Sequence, residues 1–237
     1  MEASNPEFNV PPKKFHPYGL EIIHEDRDVL VVNKINGLLT IGTDREREKT
    51  AHFLLNNYVQ KGNHRSKNRV FIVHRLDRET SGLLIFAKSE SVKCYLQDNW
   101  KDFDKTYYAV VNGNLKEKSG IITSYLRENN AHRVYSVAEN QNGKYSQTEY
   151  KVLRESKTNC LIYVRLITGR KHQIRVHFKE LGHPVVGDKM YGIADGHVKR
   201  LALHAATLSI VHPHSKRKMK FETEIPGYFH SLISKSK

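Results

Sequence analysis

The sequence has few of the residues that cross-link small secreted domains. Only two cysteines occur in 237 residues, Cys94 and Cys160, and they form no CxxC pair. A disulfide framework and a cysteine zinc site are therefore not indicated, and we expect a cytoplasmic protein. No apolar run reaches the ~18 residues of a transmembrane helix, and no N-terminal stretch resembles a signal peptide. Nothing points to a membrane or to an obligate protein partner, so a monomer is expected.

Acidic residues are scarce relative to basic ones. Lys and Arg total 39 while Asp and Glu total 25, which gives a formal net charge of +14. Such a surplus favours a polyanion as the partner. A helix lying on a membrane would need a basic face opposite a large apolar one, and no segment has that pattern. Nucleic acid is therefore the expected partner.

Apolar periodicity divides the chain into short elements. Two strand-like runs around the polar turn 25–28 predict a hairpin, and residues 50–60, 89–100 and 171–181 have helical spacing. The last of these helices ends at Gly182, a residue favoured as a C-terminal cap. The other expected strands are 70–74, 83–87, 107–111, 120–126, 133–137, 147–153, 161–167, 202–211 and 218–224. Many of them follow one another too closely for helical crossovers, which predicts antiparallel pairing.

The domain organisation is expected to be simple. Residues 1–17 contain Pro6, Pro11 and Pro12 among polar neighbours and lack periodicity, so we expect a flexible N-terminal arm there. No linker divides residues 18–237, which we expect to form one domain. The arm is too short to hold a separate N-terminal RNA-binding domain. The polar and basic stretch 61–69 is a candidate RNA contact.

The stretch HRLDRETSG, residues 74–82, sets one acid between two arginines at a strand-turn-strand junction. In an extended segment Arg75 and Asp77 point to one side, and Leu76 points to the other. An acid in that position can meet a substrate. From spacing alone the pattern fits a surface ion pair, worth under ~1 kcal/mol, equally well.

These residues resemble the signature HRLDxxTSG of the RluA-type RNA pseudouridine synthases. KTYYAVVNG, TGRKHQIRVHFKELGHPVVGDKMYG and LALHAATLSIVHP follow in the order and spacing of that family, so the resemblance covers roughly residues 20–226. It implies a mixed α/β catalytic domain with a long, mostly antiparallel twisted sheet, flanking helices and a central basic cleft. It also implies isomerisation of uridine to pseudouridine in structured ribosomal or transfer RNA, by base flipping and without a cofactor.

The resemblance assigns the catalytic residues. Asp77 matches the family's catalytic carboxylate, acting as nucleophile or base, and Arg75 matches the arginine that helps to expel the target nucleotide. Tyr107 matches the active-site tyrosine; the residues alone do not distinguish it from Tyr108. The expected substrate contacts are His74, Arg75, Arg78, Thr80, Arg170, Lys171, Gln173, Ile174 and Leu203.

Arg175 is the third expected catalytic residue. It flanks a predicted apolar helix stripe of Ile174, Phe178 and Leu181. A buried arginine stays charged and needs a carboxylate partner. The family's corresponding arginine pairs with the catalytic acid, so the resemblance implies an Arg175–Asp77 pair, which would keep Asp77 ionised.

Two other readings are weaker. The 14 histidines include His172 and His177 on one helix, but residues five apart do not share a helical face, so no metal site is expected. A metal nuclease would also need clustered carboxylates, and only Glu79 lies near Asp77 in the sequence. A non-catalytic RNA-binding or ribosome-assembly factor on the same fold is the main alternative, and the intact Asp, Tyr and Arg disfavour it.

Overall fold

The structure is a computed structural model that describes residues 11–42, 46–63, 65–193 and 198–234. The strands are β1 Leu20–Glu25, β2 Val29–Lys34, β3 Phe71–Ile72, β4 Ser81–Ala87, β5 Lys105–Asn112, β6 Ser119–Glu128, β7 Val134–Val137, β8 Lys144–Glu155, β9 Asn159–Leu166, β10 Leu203–Val211 and β11 Lys218–Glu222. The α-helices are α1 Ala51–Gln60, α2 Glu90–Asp98, α3 Gln173–Glu180 and α4 Gly227–Ser234. This composition confirms the mixed α/β class with mostly antiparallel sheet.

The described residues form two compact units. Unit 1 comprises the residues up to Trp100 together with Ile210–Phe221, and unit 2 comprises Lys101–Ser209 and the residues from Glu222 onward. The expectation of one catalytic domain over 18–237 stays a prediction. No helix in the described ranges is both long and apolar enough to cross a membrane.

In unit 1, β1, β2 and β4 lie side by side, and β3 also pairs with β4. β1 and β2 form the predicted antiparallel hairpin. β2 and β4 are paired from Val29 opposite Ala87 to Lys34 opposite Gly82. All residues of β4 are buried, in agreement with the continuous apolar run LLIFA in its sequence. The predicted helix α1 starts after Thr50, whose side chain accepts the Phe53 N–H and caps the helix.

In unit 2 the strand order is β10, β5, β9, β8, β6, β7. Helix α3 packs on β6, β7 and β8, while α4 packs on β5 and β9. The core between the sheet and the helices includes four fully buried residues, Ala109, Ile162, Phe178 and Phe229. One face of β5, β8 and β9 is therefore covered by helices.

Three sequence-based expectations differ from the structure. The helix α4 was not predicted, because its eight residues are mostly poor helix formers and its stability depends on tertiary contacts such as the packing of Phe229, Leu232 and Ile233. The strand expected at 70–74 is only Phe71–Ile72, because the Gln97 side chain takes the carbonyls of residues 72 and 73. Leu181 lies outside α3 and is 44% exposed, so its place in the apolar stripe was wrong.

The expected arm, residues 1–17, is only partly described. Residues 1–10 lie outside the described residues. The rest contains a short 3₁₀ turn, Lys13–Phe15. His16 follows it, with Nε2 2.7 Å from the Pro11 carbonyl oxygen and Nδ1 accepting the Ile22 N–H. The flexibility expected for 11–17 stays a prediction, although these contacts join the segment to β1.

Candidate active site

The loop between β3 and β4 carries Asp77, and its backbone is held on both sides of that residue. Thr40 Oγ1 donates to the Leu76 carbonyl at 2.8 Å and accepts the Leu76 N–H at 3.2 Å. The Thr80 N–H donates to the Asp77 carbonyl at 3.1 Å. Leu76 is buried, Arg75 exposed and Asp77 half-buried, as the predicted alternation requires. The carboxylate therefore stands on a backbone fixed by hydrogen bonds.

A buried lysine supports the same loop. Lys34 is only 1% exposed to solvent. Its ammonium group donates hydrogen bonds to the carbonyls of Ile35, Leu38 and Arg78 at 3.0, 2.8 and 3.3 Å. Burial lowers the pKa of Lys34 to about 7, although the negative charge of Asp77 opposes that shift. The sequence analysis did not identify Lys34, because a lysine at a strand end ordinarily lies at the surface.

Two of the other motif residues in unit 1, His74 and Arg78, have partners within the protein. The His74 ring stacks on Trp100 with 4.3 Å between ring centroids, and its Nε2 accepts the Ile85 N–H. Arg78 forms an ion pair with Glu46, and Thr80 is 3% exposed. Arg75 is exposed and has no ion-pair partner among the described residues. The substrate contacts expected of all four stay predictions.

Tyr107 and Tyr108 lie next to each other on β5 and point to opposite sides of the sheet. Tyr107 is opposite Val164 and Ala205 on the neighbouring strands and, like Tyr108, packs against the core. Tyr108 is opposite Tyr163, with the two rings edge to face and their centroids 6.2 Å apart. The register places the two tyrosines on opposite faces of the sheet, and the assignment of Tyr107 to the active site stays a prediction.

Arg175 forms a buried, bidentate ion pair with Asp188. Its Nε and Nη2 donate to the two carboxylate oxygens at 2.7 and 2.9 Å. The Asp188 side chain is fully buried and that of Arg175 is 7% exposed. Burial alone would raise the pKa of Asp188, but hydrogen bonds and charge from Arg175 hold it below its usual value. The need for a carboxylate is confirmed, and the pairing with Asp77 stays a prediction.

Asp188 lies in the stretch HPVVGDKMYG, and the sequence alone predicts no role for it. Its Oδ1 also accepts the N–H groups of Met190 and Tyr191 at 2.9 and 3.0 Å. The preceding Gly187 has φ +76°, and a Cβ there would collide with the carbonyl of Arg200. Only glycine fits at position 187, directly before Asp188. Gly187 is therefore the signal in the sequence that marks the position of Asp188.

Tyr191 extends this polar cluster to the beginning of α3. The Arg175 guanidinium lies 5.1 Å from the Tyr191 ring centroid. The Tyr191 hydroxyl oxygen accepts the Val134 N–H at 2.9 Å and lies 2.8 Å from His172 Nδ1. His172 has φ 54° and precedes α3 as its N-cap. The direction of the helix and the position of its arginine are thus fixed by the same contacts.

The expected substrate contacts in unit 2 differ in burial. The Gln173 amide donates to Thr148 Oγ1 and the Gln147 carbonyl, and it accepts from Thr168 Oγ1 and the Arg170 N–H. Ile174 and Leu203 are buried, whereas Arg170 and Lys171 are exposed. These residues support the fold locally, and their contacts with substrate stay predictions.

No group of three or more His, Cys, Asp or Glu side chains within the described ranges could hold a metal ion. His177 instead lies inside the protein, with Nδ1 and Nε2 each 2.9 Å from the hydroxyl oxygens of Thr148 and Ser124. Burial lowers the pKa of His177 to about 4. This histidine is a neutral structural residue.

Comparison with known proteins decides the family. Residues 28–180 match the family model described as RNA pseudouridylate synthase. The chain belongs to the RluA-type RNA pseudouridine synthases. It is 37% identical over 223 residues to ribosomal large subunit pseudouridine synthase D of Borreliella burgdorferi, covering 91% of this chain and 68% of that protein. It is 38% identical over 205 residues to the dual-specificity RNA pseudouridine synthase RluA of Vibrio vulnificus, covering 82% and 79%.

A solved structure agrees with this assignment. Human RNA pseudouridylate synthase domain containing 1 superimposes with a TM-score of 0.71 at 27% identity, covering 91% of this chain and 86% of that one. The synthase therefore has the fold as well as the sequence motifs of an enzyme that isomerises uridine in RNA.

Proposed function

We propose that this synthase converts specific uridines to pseudouridine in large-subunit ribosomal RNA, transfer RNA or both. The names of its relatives support these substrates, since one is a ribosomal large subunit enzyme and another has dual specificity. The reaction breaks the bond between the ribose and nitrogen 1 of uracil, turns the base, and rejoins it through carbon 5. No atom is added or lost, so no cofactor is required. We place the enzyme in the cytoplasm as a monomer.

Base flipping precedes the chemistry in this proposal. A duplex buries the target atom, and turning the nucleotide out costs a few kcal/mol that phosphate contacts must offset. Arg75, exposed beside Asp77 in the loop, fills the place of the expelled nucleotide. Arg78, Arg170 and Lys171 are the other basic residues proposed to contact the RNA.

Asp77 carries the chemistry in this proposal, either by attacking the ribose or by removing its 2′ proton. Both roles need an ionised carboxylate on a fixed backbone. The hydrogen bonds of Thr40 and Lys34 to the adjoining loop carbonyls are the observation that supports this role. Arg175 is the proposed cationic partner of Asp77. Tyr107 is proposed to stack on the base and to assist loss of the proton at carbon 5.

The test compares pseudouridine maps of ribosomal and transfer RNA from cells with and without the gene. Positions that lose pseudouridine are then transcribed as substrates for the purified protein and its Asp77→Asn variant. Asn keeps the size and hydrogen bonding of Asp but removes the charge, so turnover should vanish while RNA binding survives. Pseudouridine formation by Asp77→Asn would refute the catalytic role, and RNA binding without turnover by the unaltered protein would favour the non-catalytic alternative.

A further inference from the structure

Two adjacent hollows open on unit 1, on either side of Arg69. The first, called here the basic hollow, has a volume of about 530 Å³ and is lined by Glu25, Arg27, Tyr58, Lys61, Arg69 and Lys88 among others. The second, called here the amide hollow, has a volume of about 570 Å³ and includes Asn56, Gln60, Asn68, Arg69 and Phe71. Both volumes lie in the range of small-molecule sites, typically ~300–1,000 Å³.

The acid in the basic hollow is already neutralised. Glu25 accepts the Tyr58 hydroxyl at 2.7 Å and the Lys88 ammonium at 2.6 Å. The nearby Asp26 is engaged elsewhere, with one carboxylate oxygen 2.8 Å from His24 Nε2 and 3.2 Å from His212 Nε2. Neither carboxylate is therefore free to pair with the cations at the edge of the hollow.

The cations at the edge of the basic hollow form no salt bridge with any residue that the structure describes. They are the exposed residues Arg27, Lys61 and Arg69. Lys61 is held at the C-terminus of α1 with φ 51°, and its N–H donates to the Tyr58 carbonyl. Three unpaired positive charges around one concave surface attract an anion with several charges, such as an RNA backbone.

The amide hollow has different chemistry. Asn56 accepts the Val70 N–H at 3.0 Å, which fixes the wall of the hollow, whereas the Gln60 amide forms no hydrogen bond within the described residues. The partly exposed ring of Phe71 lies in the same lining. Amides and an aromatic ring are the groups that bind the edges and faces of unpaired bases.

The hollows lie far from Asp77 along the sheet of unit 1. The loop with Asp77 leads into the end of β4 where Gly82 is opposite Lys34, whereas Lys88 follows the other end of the pairing, where Val29 is opposite Ala87. Lys88 there binds Glu25, the last residue of β1. Five residues of antiparallel strand separate the two ends, or about 17 Å.

We propose that the two hollows form a second RNA site that binds an unpaired segment of the substrate away from the target uridine, with phosphates in the basic hollow and a base in the amide hollow. This inference rests on the proposed function for the identity of the RNA. The site would help the enzyme to choose among uridines, because a hairpin without such a segment cannot occupy it.

The first experiment measures binding of a labelled 20-nucleotide oligouridylate as a function of salt. The triple variant Arg27→Gln/Lys61→Gln/Arg69→Gln should bind about tenfold more weakly and reduce the log-log salt slope by about 2, since each lost phosphate contact on a single strand contributes ~0.7. The control is Lys116→Gln/Lys151→Gln/Lys157→Gln, which removes the same charge from exposed, unpaired lysines of unit 2. It should change the slope by less than about 0.5.

The second experiment separates base from phosphate. Gln60→Leu should weaken binding of oligouridylate by roughly 2- to 10-fold, the effect of one hydrogen bond, and leave binding of an abasic ribose-phosphate oligomer unchanged. A 4-thiouridine oligomer should cross-link to peptides within residues 52–72. All altered side chains are at least partly exposed, so thermal unfolding should stay unchanged; if the triple variant fails to fold, Arg69→Gln alone should reduce the slope by about 0.7.

Equal weakening by the triple variant and its control would show that only total charge matters and would overturn the site. Cross-links confined to other peptides would do the same, and equal loss for both oligomers in Gln60→Leu would refute the base contact. These measurements need no turnover. Their failure is therefore distinguishable from failure of the proposed function, which the pseudouridine maps test separately.

Discussion

Removing one partner of the Arg175–Asp188 pair should destabilise the synthase more than removing both. Asp188→Asn keeps the side-chain shape, and its Oδ1 can still accept the N–H groups of Met190 and Tyr191. Its NH₂ group, however, would face the Nε–H of Arg175, which is a donor as well. The guanidinium would remain buried and charged without the carboxylate that binds it in a bidentate pair.

The expected magnitude follows from burial. Breaking a buried pair by removing one partner typically costs ~3–5 kcal/mol, because the other charge is left uncompensated. Arg175→Met leaves the fully buried Asp188 carboxylate in the same position. In Arg175→Met/Asp188→Asn neither charge remains, and Met fills much of the arginine volume, so we expect a loss of about 1–2 kcal/mol. The double variant should therefore be more stable than either single variant.

The assay is urea unfolding followed by far-UV circular dichroism. The only tryptophan, Trp100, belongs to unit 1, whereas both altered residues belong to unit 2, so tryptophan fluorescence is the less suitable signal. Free energies of unfolding come from linear extrapolation at constant slope. Single variants that lose less than about 1 kcal/mol, or a double variant as unstable as the sum of the singles, would refute the reasoning.

Two further predictions concern buried charges in unit 1. Lys34→Met cannot donate to the three carbonyls that Lys34 binds, so the free energy of unfolding should fall by about 2 kcal/mol, against no change for the exposed control Lys116→Met; equal stability of the two would contradict the role of the ammonium. For Asp26, burial favours the neutral form, but hydrogen bonds from His24 and from two backbone N–H groups lower its pKa from 3.8 to about 2. Because its pKa is lowered, the ionised Asp26 carboxylate adds about 2 kcal/mol to the free energy of unfolding above pH 3.8. That contribution is lost as the pH falls towards 2. Asp26→Asn should flatten the stability profile in that window, and an unchanged slope would show that Asp26 is not responsible.

Most elements of the fold could be predicted because their signals are local. The hairpin β1–β2 follows from two apolar runs around a polar turn, and α1 follows from helical spacing of its apolar residues. The short helix α4 has no such signal, since its stability depends on packing against β5 and β9. Leu181 was misplaced for a related reason: α3 ends one residue before it, and the exact end of a helix is set by its cap.

The candidate site was predictable only in part, because its supporting groups are buried charges. Sequence reasoning places lysines and aspartates at the surface by default, which is correct for most of them and wrong for Lys34 and Asp188. A buried charge is tolerated only where hydrogen bonds or an opposite charge compensate it, and those partners are set by tertiary geometry. Lys34 supports the loop of Asp77, and Asp188 binds Arg175. The groups that fix the proposed catalytic residues therefore also stabilise the units in which they lie. A loss of activity in a variant of Lys34, Arg175 or Asp188 is thus evidence about the chemistry only when the free energy of unfolding of that variant has been measured as well.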